Sequence, residues 1–466
     1  MNLHQSSVAP RGRRVIAQAG LLLASLSLSI AAAYAAPVFD KPDADFNGRI
    51  FSAGALPGAE AQLMGRSFTP GQVVTLYRGG EALNNGEKYT VTEKGTFEAK
   101  VAIPADAVAG VHPIVASVAN PYAATVFDLK VTAEVPLSNE ANYTLTSEKL
   151  VQGLYQSAYS PKTNRLFVTS AVGRPPVKDS RLLKLNADTL AKEAEITVAA
   201  ADGRKDGHLN AVYGVAVDDA NGNVWTTNTR SNTIAVYKQS DLKLVKQFED
   251  GAATHARDVI IDEGLNKAFV STPGQNTVEV FDTKSLEHVA TVTIDSASEK
   301  KVSTMSLAID PEAARVYTVS GSTNELIVID AKKNAVVKVI AIPGIKGAAG
   351  VAVDPKQQRA YVTAQGSDHL VIVDLRSDKV LHTVTVGGGA LNVAFDPVSG
   401  NAFVANRTGG TLTVVNGEGK IVANLPGGTL PNHVAVDGKG DVFLINKSRG
   451  ADDAQGDRIT RVVPKK

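Results

Sequence analysis

Cysteine is absent from all 466 residues, which removes disulfides, thiolate metal sites, a cysteine nucleophile and a cysteine-linked lipid anchor together. Stability must then come from packing. Aromatic side chains make up only 5%, with one Trp and three Met, whereas glycines number 40; that balance points to many short strands joined by tight turns. An excess of one charge is also missing, with 48 Lys and Arg against 47 Asp and Glu. Residues 1–35 hold three arginines and no acid; without them 45 basic side chains face 47 acidic ones, a balance of −2. Such a chain is not coated in positive charge, although a local patch stays open. Beyond residue 35 no run reaches 18 consecutive apolar residues, so the mature chain is expected to carry no transmembrane helix. The 44% apolar and 20% charged residues suit a soluble chain with a sizeable core.

The first 35 residues read as a signal peptide. A basic stretch (Arg11, Arg13, Arg14) precedes the apolar run Ala19–Ala33 and the small-residue end Ala33-Tyr34-Ala35, the three parts of a cleavable secretory signal. Arg13-Arg14 also raises twin-arginine export as an alternative route, without the residues that usually follow the pair. Export to the periplasm is therefore expected.

What the chain does have is a repeat. Ser306–Ile340 aligns without a gap on Gly350–Val384: an apolar alternation ending in Asp, a turn, a strand of the type R-x-Y-V-T, a polar turn, a strand ending in Asp, and a last alternating strand. Four short antiparallel strands make one propeller blade. Ser160, Asp218, Asp262, Asp310, Asp354, Asp396 and Asp437 each end the first strand of a copy, at intervals of 41 to 58 residues, so 143–466 is expected to form a seven-bladed β-propeller. The last copy ends one strand short. Tyr143–Val151 stands where the missing outer strand would come from, and its pairing with Ile459–Val463 would close the ring without an exposed edge.

Residues 46–132 have a different texture, with short alternating strands separated by Pro-Gly, Asn-Asn-Gly and Lys-Gly turns. F-T-P-G-Q-V-V-T-L, K-G-T-F-E-A-K-V and I-P-A-D-A-V-A-G-V-H-P-I resemble an immunoglobulin-like β-sandwich. Residues 133–142, polar and holding Pro136, read as a linker. The fold class is all-β.

Candidate functional residues gather on one face of the ring. In an up-and-down blade the loop between the second and third strands opens on the same face as the connection to the next blade. Two such loops are long, 170–181 in the first copy and 447–458 in the seventh, and closure makes these copies neighbours. They carry Arg174, Lys178, Arg181, Lys447 and Arg449, and the equivalent turns of copies two and six add Arg230 and Arg407. The first strands start beside the central channel, where Tyr155, Gln156, Tyr213, Arg257, Asn392, Asn432 and His433 are expected to ring its mouth. Large polar and aromatic groups fall on one side of that ring, as a one-sided pocket requires. The same residues would serve equally as strand-end partners in a watery channel.

Catalytic and metal chemistry find little support. No G-x-S-x-G, H-E-x-x-H or paired H-x-H occurs, and Asp452, Asp453 and Asp457 lack calcium-loop spacing. No cofactor is expected. Arg257, Asp258 and His433 at the mouth would be the acid–base candidates if the chain were an enzyme. Trp225, in a second strand, is expected to pack in the core.

Y-V-T-A-Q (Tyr361–Gln365), V-W-T-T-N (Val224–Asn228), V-I-V-D (Val371–Asp374), V-I-D-A (Val328–Ala331), L-F-V-T-S-A-V-G-R (Leu166–Arg174) and P-N-H-V-A-V-D (Pro431–Asp437) carry a resemblance. Over nearly all of Val151–Lys466 the chain resembles the exported YVTN-repeat propellers, and within them the YncE-type DNA-binding propellers. The resemblance implies a non-enzymatic propeller able to bind nucleic acid, associated with iron-limited growth and outer-membrane iron transport. The N-terminal sandwich departs from the minimal YncE type and leaves room for another role. Three function classes stand: a scaffold for a periplasmic or outer-membrane protein partner, a module for single-stranded DNA or another polyanion, and an enzyme of the propeller lactonase or dehydrogenase kind. For single-stranded DNA, Arg174, Lys178, Arg181, Lys447 and Arg449 would meet the phosphates, and Tyr155 and Tyr213 the bases.

Overall fold

A computed structural model describes residues 41–298 and 300–465; the expected signal at 1–35 lies outside them. Alternation sets the N-terminal architecture. Glu60–Arg66 and Phe97–Ala102 bury every second residue, so each offers one apolar face to a partner sheet. With Arg49–Ser52 they form a three-stranded sheet, and a second sheet is built around Val73–Arg78, Gly110–Ala119 and Ala123–Val131. The two share one core that includes Leu63, Phe68, Val74, Phe97, Ile114 and Leu129. Phe68 meets Phe46 and Phe97 edge-on, at 5.5 and 5.2 Å.

Residues from Tyr143 onward form, among the described residues, seven four-stranded antiparallel sheets. Six follow chain order. In the last, Leu430–Val436, Val442–Lys447 and Arg458–Pro464 are completed by Tyr143–Lys149, in register from Arg458↔Lys149 to Pro464↔Tyr143. This is the closing pairing expected from the short last copy. First strands pack against first strands all the way round, Leu154–Ser160 against Leu430–Val436 included. Each pair of neighbouring sheets encloses its own apolar cluster. Second strands such as Arg359–Ala364 are buried after their first residue, because both faces of their sheet are covered. Trp225 is fully buried, beside Phe248 and Phe281.

The repeated letters have physical causes. The Asp that ends a first strand caps the turn after it: Asp262 Oδ1 accepts the Leu265 N–H at 3.0 Å and Asp310 Oδ1 that of Ala313 at 3.0 Å, the Asx-turn habit of this residue. The Thr of Y-V-T answers a bulge in the first strand, where the register slips (Leu154/Ser157, Ala348/Val351). A slipped N–H has no ladder partner, so a hydroxyl takes it. The Gly214 N–H donates to Thr227 Oγ1 at 2.8 Å and the Gly350 N–H to Thr363 Oγ1 at 2.8 Å. These hydroxyls then donate to the next sheet's first strand, at Arg257 O (3.0 Å) and Leu391 O (3.2 Å). One side chain therefore serves both its own bulge and the contact between sheets.

Residues 133–142 are bonded to the ring. Ser138 pairs with Asn424, and Asn424 Nδ2 donates to Val135 O at 2.7 Å. Lys130 meets the buried Asp368 and donates to Gln365 O at 2.6 Å. The second Asp368 oxygen takes the Ala133 N–H at 3.0 Å. Among the described residues no helix is long and apolar enough to cross a membrane.

Candidate anion-binding site at the channel mouth

The bulges decide which way the mouth residues face. Each bulge turns one side chain toward the next first strand, and in four sheets that side chain is an acceptor. Gln156 Oε1 takes the Val215 N–H at 3.2 Å and Asp258 Oδ2 that of Leu307 at 2.9 Å. Asn392 Oδ1 takes that of Val434 at 2.8 Å and His433 Nδ1 that of Ser157 at 3.3 Å. Gln156, Asn392 and His433, expected to face a ligand, are thus staples between neighbouring sheets. In the second and fifth sheets the position is Gly214 and Gly350, where an added Cβ would lie 2.4 Å from Arg257 O and 2.7 Å from Thr363 Oγ1. Those strands approach too closely for any side chain.

Burial also reassigns Tyr213. It is 7% exposed and meets Tyr155 edge-on at 4.8 Å, so it cannot stack on a base. Burial raises its pKa, against the Arg230 side chain beside its hydroxyl. Tyr155 is half-buried, and the Lys447 ammonium sits 4.9 Å from its ring centroid.

Four cations remain around the mouth. Arg257, from the third sheet, has Nη1 3.3 Å from Met305 Sδ of the fourth, and its Nε is buried without a partner. Arg407 bonds Asn432 Oδ1, and Asn432 Nδ2 holds Tyr155 O at 2.6 Å. Lys447 Nζ lies 3.5 Å from Gly153 O. Arg230 is exposed at the edge. Among the described residues no carboxylate stands within ion-pair distance of any of the four. Asp258, the acid beside Arg257, has its carboxylate occupied by the Leu307 and Val259 N–H groups, and burial pushes its pKa up. The crowding of positive charge shifts the pKa values. Burial, then Arg407, holds Lys447 down at about 8; burial, with Arg257 adding to it, lowers Arg407. His433 is pushed down to about 3 by burial first and Arg257 second, so it is neutral.

The long loops hold the rim. Asp457 Oδ1 accepts the Gly153 and Ser448 N–H groups at 2.9 and 3.2 Å, and Asp453 takes those of Arg449, Gln455 and Gly456. The other loop is pinned where buried His208 Nδ1 accepts the Val177 N–H at 2.8 Å. Arg174, Lys178 and Arg449 are exposed, with Lys178 donating to Asp206 O. Arg181 is neutralised by Asp179, at 2.8 Å, and by Glu195; the Asp two residues before it was the available signal.

No family model and no curated protein matches this chain. Solved structures do resemble it. Kuenenia stuttgartiensis hydrazine synthase matches at TM-score 0.53 and 16% identity over 63% of this chain and 92% of that one. Virginiamycin B lyase from Staphylococcus aureus matches at 0.54 and 11%, over 69% and 99%, and U3-55K at 0.54 and 12%, over 69% and 98%. At such identities the likeness is one of fold, and the shared architecture is the β-propeller.

Proposed function

We propose that this chain is a non-enzymatic, exported binding protein. It is read as a seven-bladed β-propeller over 143–466 preceded by an immunoglobulin-like sandwich over 46–132, and its loop-rich face recognises an anionic group on a periplasmic partner or ligand. One observation carries the reading: Arg257, Arg407 and Lys447, from three sheets, surround the channel mouth without a carboxylate counter-ion. Cations held this way are a standing electrostatic demand for an anion. Against catalysis, the acid–base candidates Asp258 and His433 each spend an acceptor on a backbone N–H of a neighbouring strand. The similar structures include a synthase and a lyase, so the fold by itself does not choose. Kinship with the YncE type, and any link to iron limitation or an outer-membrane partner, rests on the motifs quoted above.

The test is binding of anionic probes, a heparin fragment and a single-stranded oligonucleotide, across a salt titration. Affinity should fall as salt rises, and Arg407→Met with Lys447→Met should flatten the log–log slope, by about 0.7 per lost contact for a single strand. Absence of binding to any anion, or affinity indifferent to both salt and the double variant, would sink the reading.

A further inference from the structure

We infer that the axis of the ring seats one compact oxyanion carrying two negative charges, a phosphate or a small dicarboxylate, held by Arg257, Arg407 and Lys447. This rests on the anion reading above and narrows it. Arg257 leaves the third sheet and touches Met305 of the fourth, and its positive charge helps to lower the pKa values of Arg407 and His433 in the sixth and seventh. Its Nε is buried and, among the described residues, unpartnered, so nothing among them offsets its desolvation. Arg407 is held by Asn432, which is itself held by Tyr155 O, so the guanidinium is oriented before any ligand arrives. Lys447 is fixed over Tyr155. Two planar guanidinium forks and an ammonium suit the oxygens of a phosphate or a carboxylate. Two negative charges against three positive ones would relieve most of the repulsion.

Compactness follows from what the aromatic residues can do. A single strand needs free ring faces for its bases. Tyr213 is buried and Tyr155 carries an ammonium against it, so this site offers charge without a stacking platform.

Calorimetric titration of the full mature chain with inorganic phosphate, and separately with succinate, distinguishes the two chemistries. One of them should bind once per chain, with affinity about tenfold or more weaker in Arg257→Met and Arg407→Met. It should be unchanged in Lys338→Ala, a cation of the ring's outer edge paired with Asp378. Lys447, faced by Arg407, Asp457 and Tyr155, should take up a proton when the anion binds at pH 9, so the measured heat will vary with the buffer's ionisation enthalpy. Lys447→Arg should bind without that uptake. If the methionine variants fail to melt cooperatively, this last pair of measurements decides: uptake persisting in Lys447→Arg overturns the site. Failure of both probes overturns it too. If an oligonucleotide binds while phosphate and succinate neither bind nor compete, the compact-anion inference falls and the wider reading survives; if nothing anionic binds, both fall.

Discussion

Replacing His433 by glutamine should remove a defined part of the protein's acid sensitivity. His433 Nδ1 accepts the Ser157 N–H at 3.3 Å across the junction between the last sheet and the first. Protonating that nitrogen turns an acceptor into a donor facing a donor, and adds a charge near Arg257. Burial, then Arg257, brings the pKa from 6.5 down to about 3. The unfolded chain therefore binds a proton near pH 6.5 that the folded chain refuses until near pH 3. Stability from this group is fully present above 6.5 and is lost as pH falls through that window. The whole window is worth at most about 5 kcal/mol, and the step from pH 7 to pH 5 about 2 kcal/mol. That step lies above the ordinary carboxylate range. Burial also lowers the pKa of His208, His255 and His369, and they add the same pH dependence to both proteins. The substituted glutamine keeps an acceptor and cannot titrate. Urea unfolding at pH 7 and pH 5 should show the wild type losing about 2 kcal/mol more than His433→Gln; equal losses would refute the assignment.

Three other outcomes are expected. Thr227→Val strips the acceptor from the Gly214 N–H and the donor from Arg257 O, and should cost about 1 to 3 kcal/mol in chemical denaturation; a neutral result would mean that water replaces the hydroxyl. A chain beginning at Gln152 lacks the strand that completes the last sheet and should melt well below the full mature protein, whereas an identical melt would show that Tyr143–Lys149 is dispensable. Asp368→Asn weakens the Lys130 contact and should speed proteolytic cleavage within 133–142 several-fold, with no change expected if the remaining bonds at Asn424 suffice.

The repeat was legible because its letters report local needs. An Asp that caps a turn and a Thr that answers a bulge recur wherever the same backbone recurs, and strand alternation needs only neighbours in sequence. The outer strand supplied from Tyr143–Lys149 could be inferred by counting, since one copy lacked what the others had. The mouth of the channel was harder. Sequence expected Gln156, Asn392 and His433 to line it, and each instead accepts a backbone N–H of the next sheet. Their direction is set by backbone N–H groups of a strand that lies about 40 to 60 residues away for the first two, at Val215 and Val434, and at the far end of the chain for the third. Tyr213 was misjudged for the same reason, because the edge of Tyr155 and the walls that bury it come from other copies.

Arg407 and Lys447 left a signal that only the repeat register exposes. Each stands four residues after the second-strand aromatic of its copy, Phe403 and Phe443. In the fourth and fifth copies that same place, counted from Tyr317 and Tyr361, holds Gly321 and Gln365. A long cation at equivalent positions of two adjacent sheets puts both on the same level of the ring, where a loop charge pointing to solvent would have had no such constraint. Arg257 departs from its copies likewise: its register equivalents in the fifth and sixth are Ala349 and Leu391, neither of them charged. Where copies of one unit agree, the agreement describes the unit's own folding, and that agreement does not account for the departures at Arg257, Arg407 and Lys447. Under the proposed function Arg257, Arg407 and Lys447 answer to an anionic ligand, since the acids beside them in sequence or charge, Asp258 and Asp457, are occupied with backbone N–H groups.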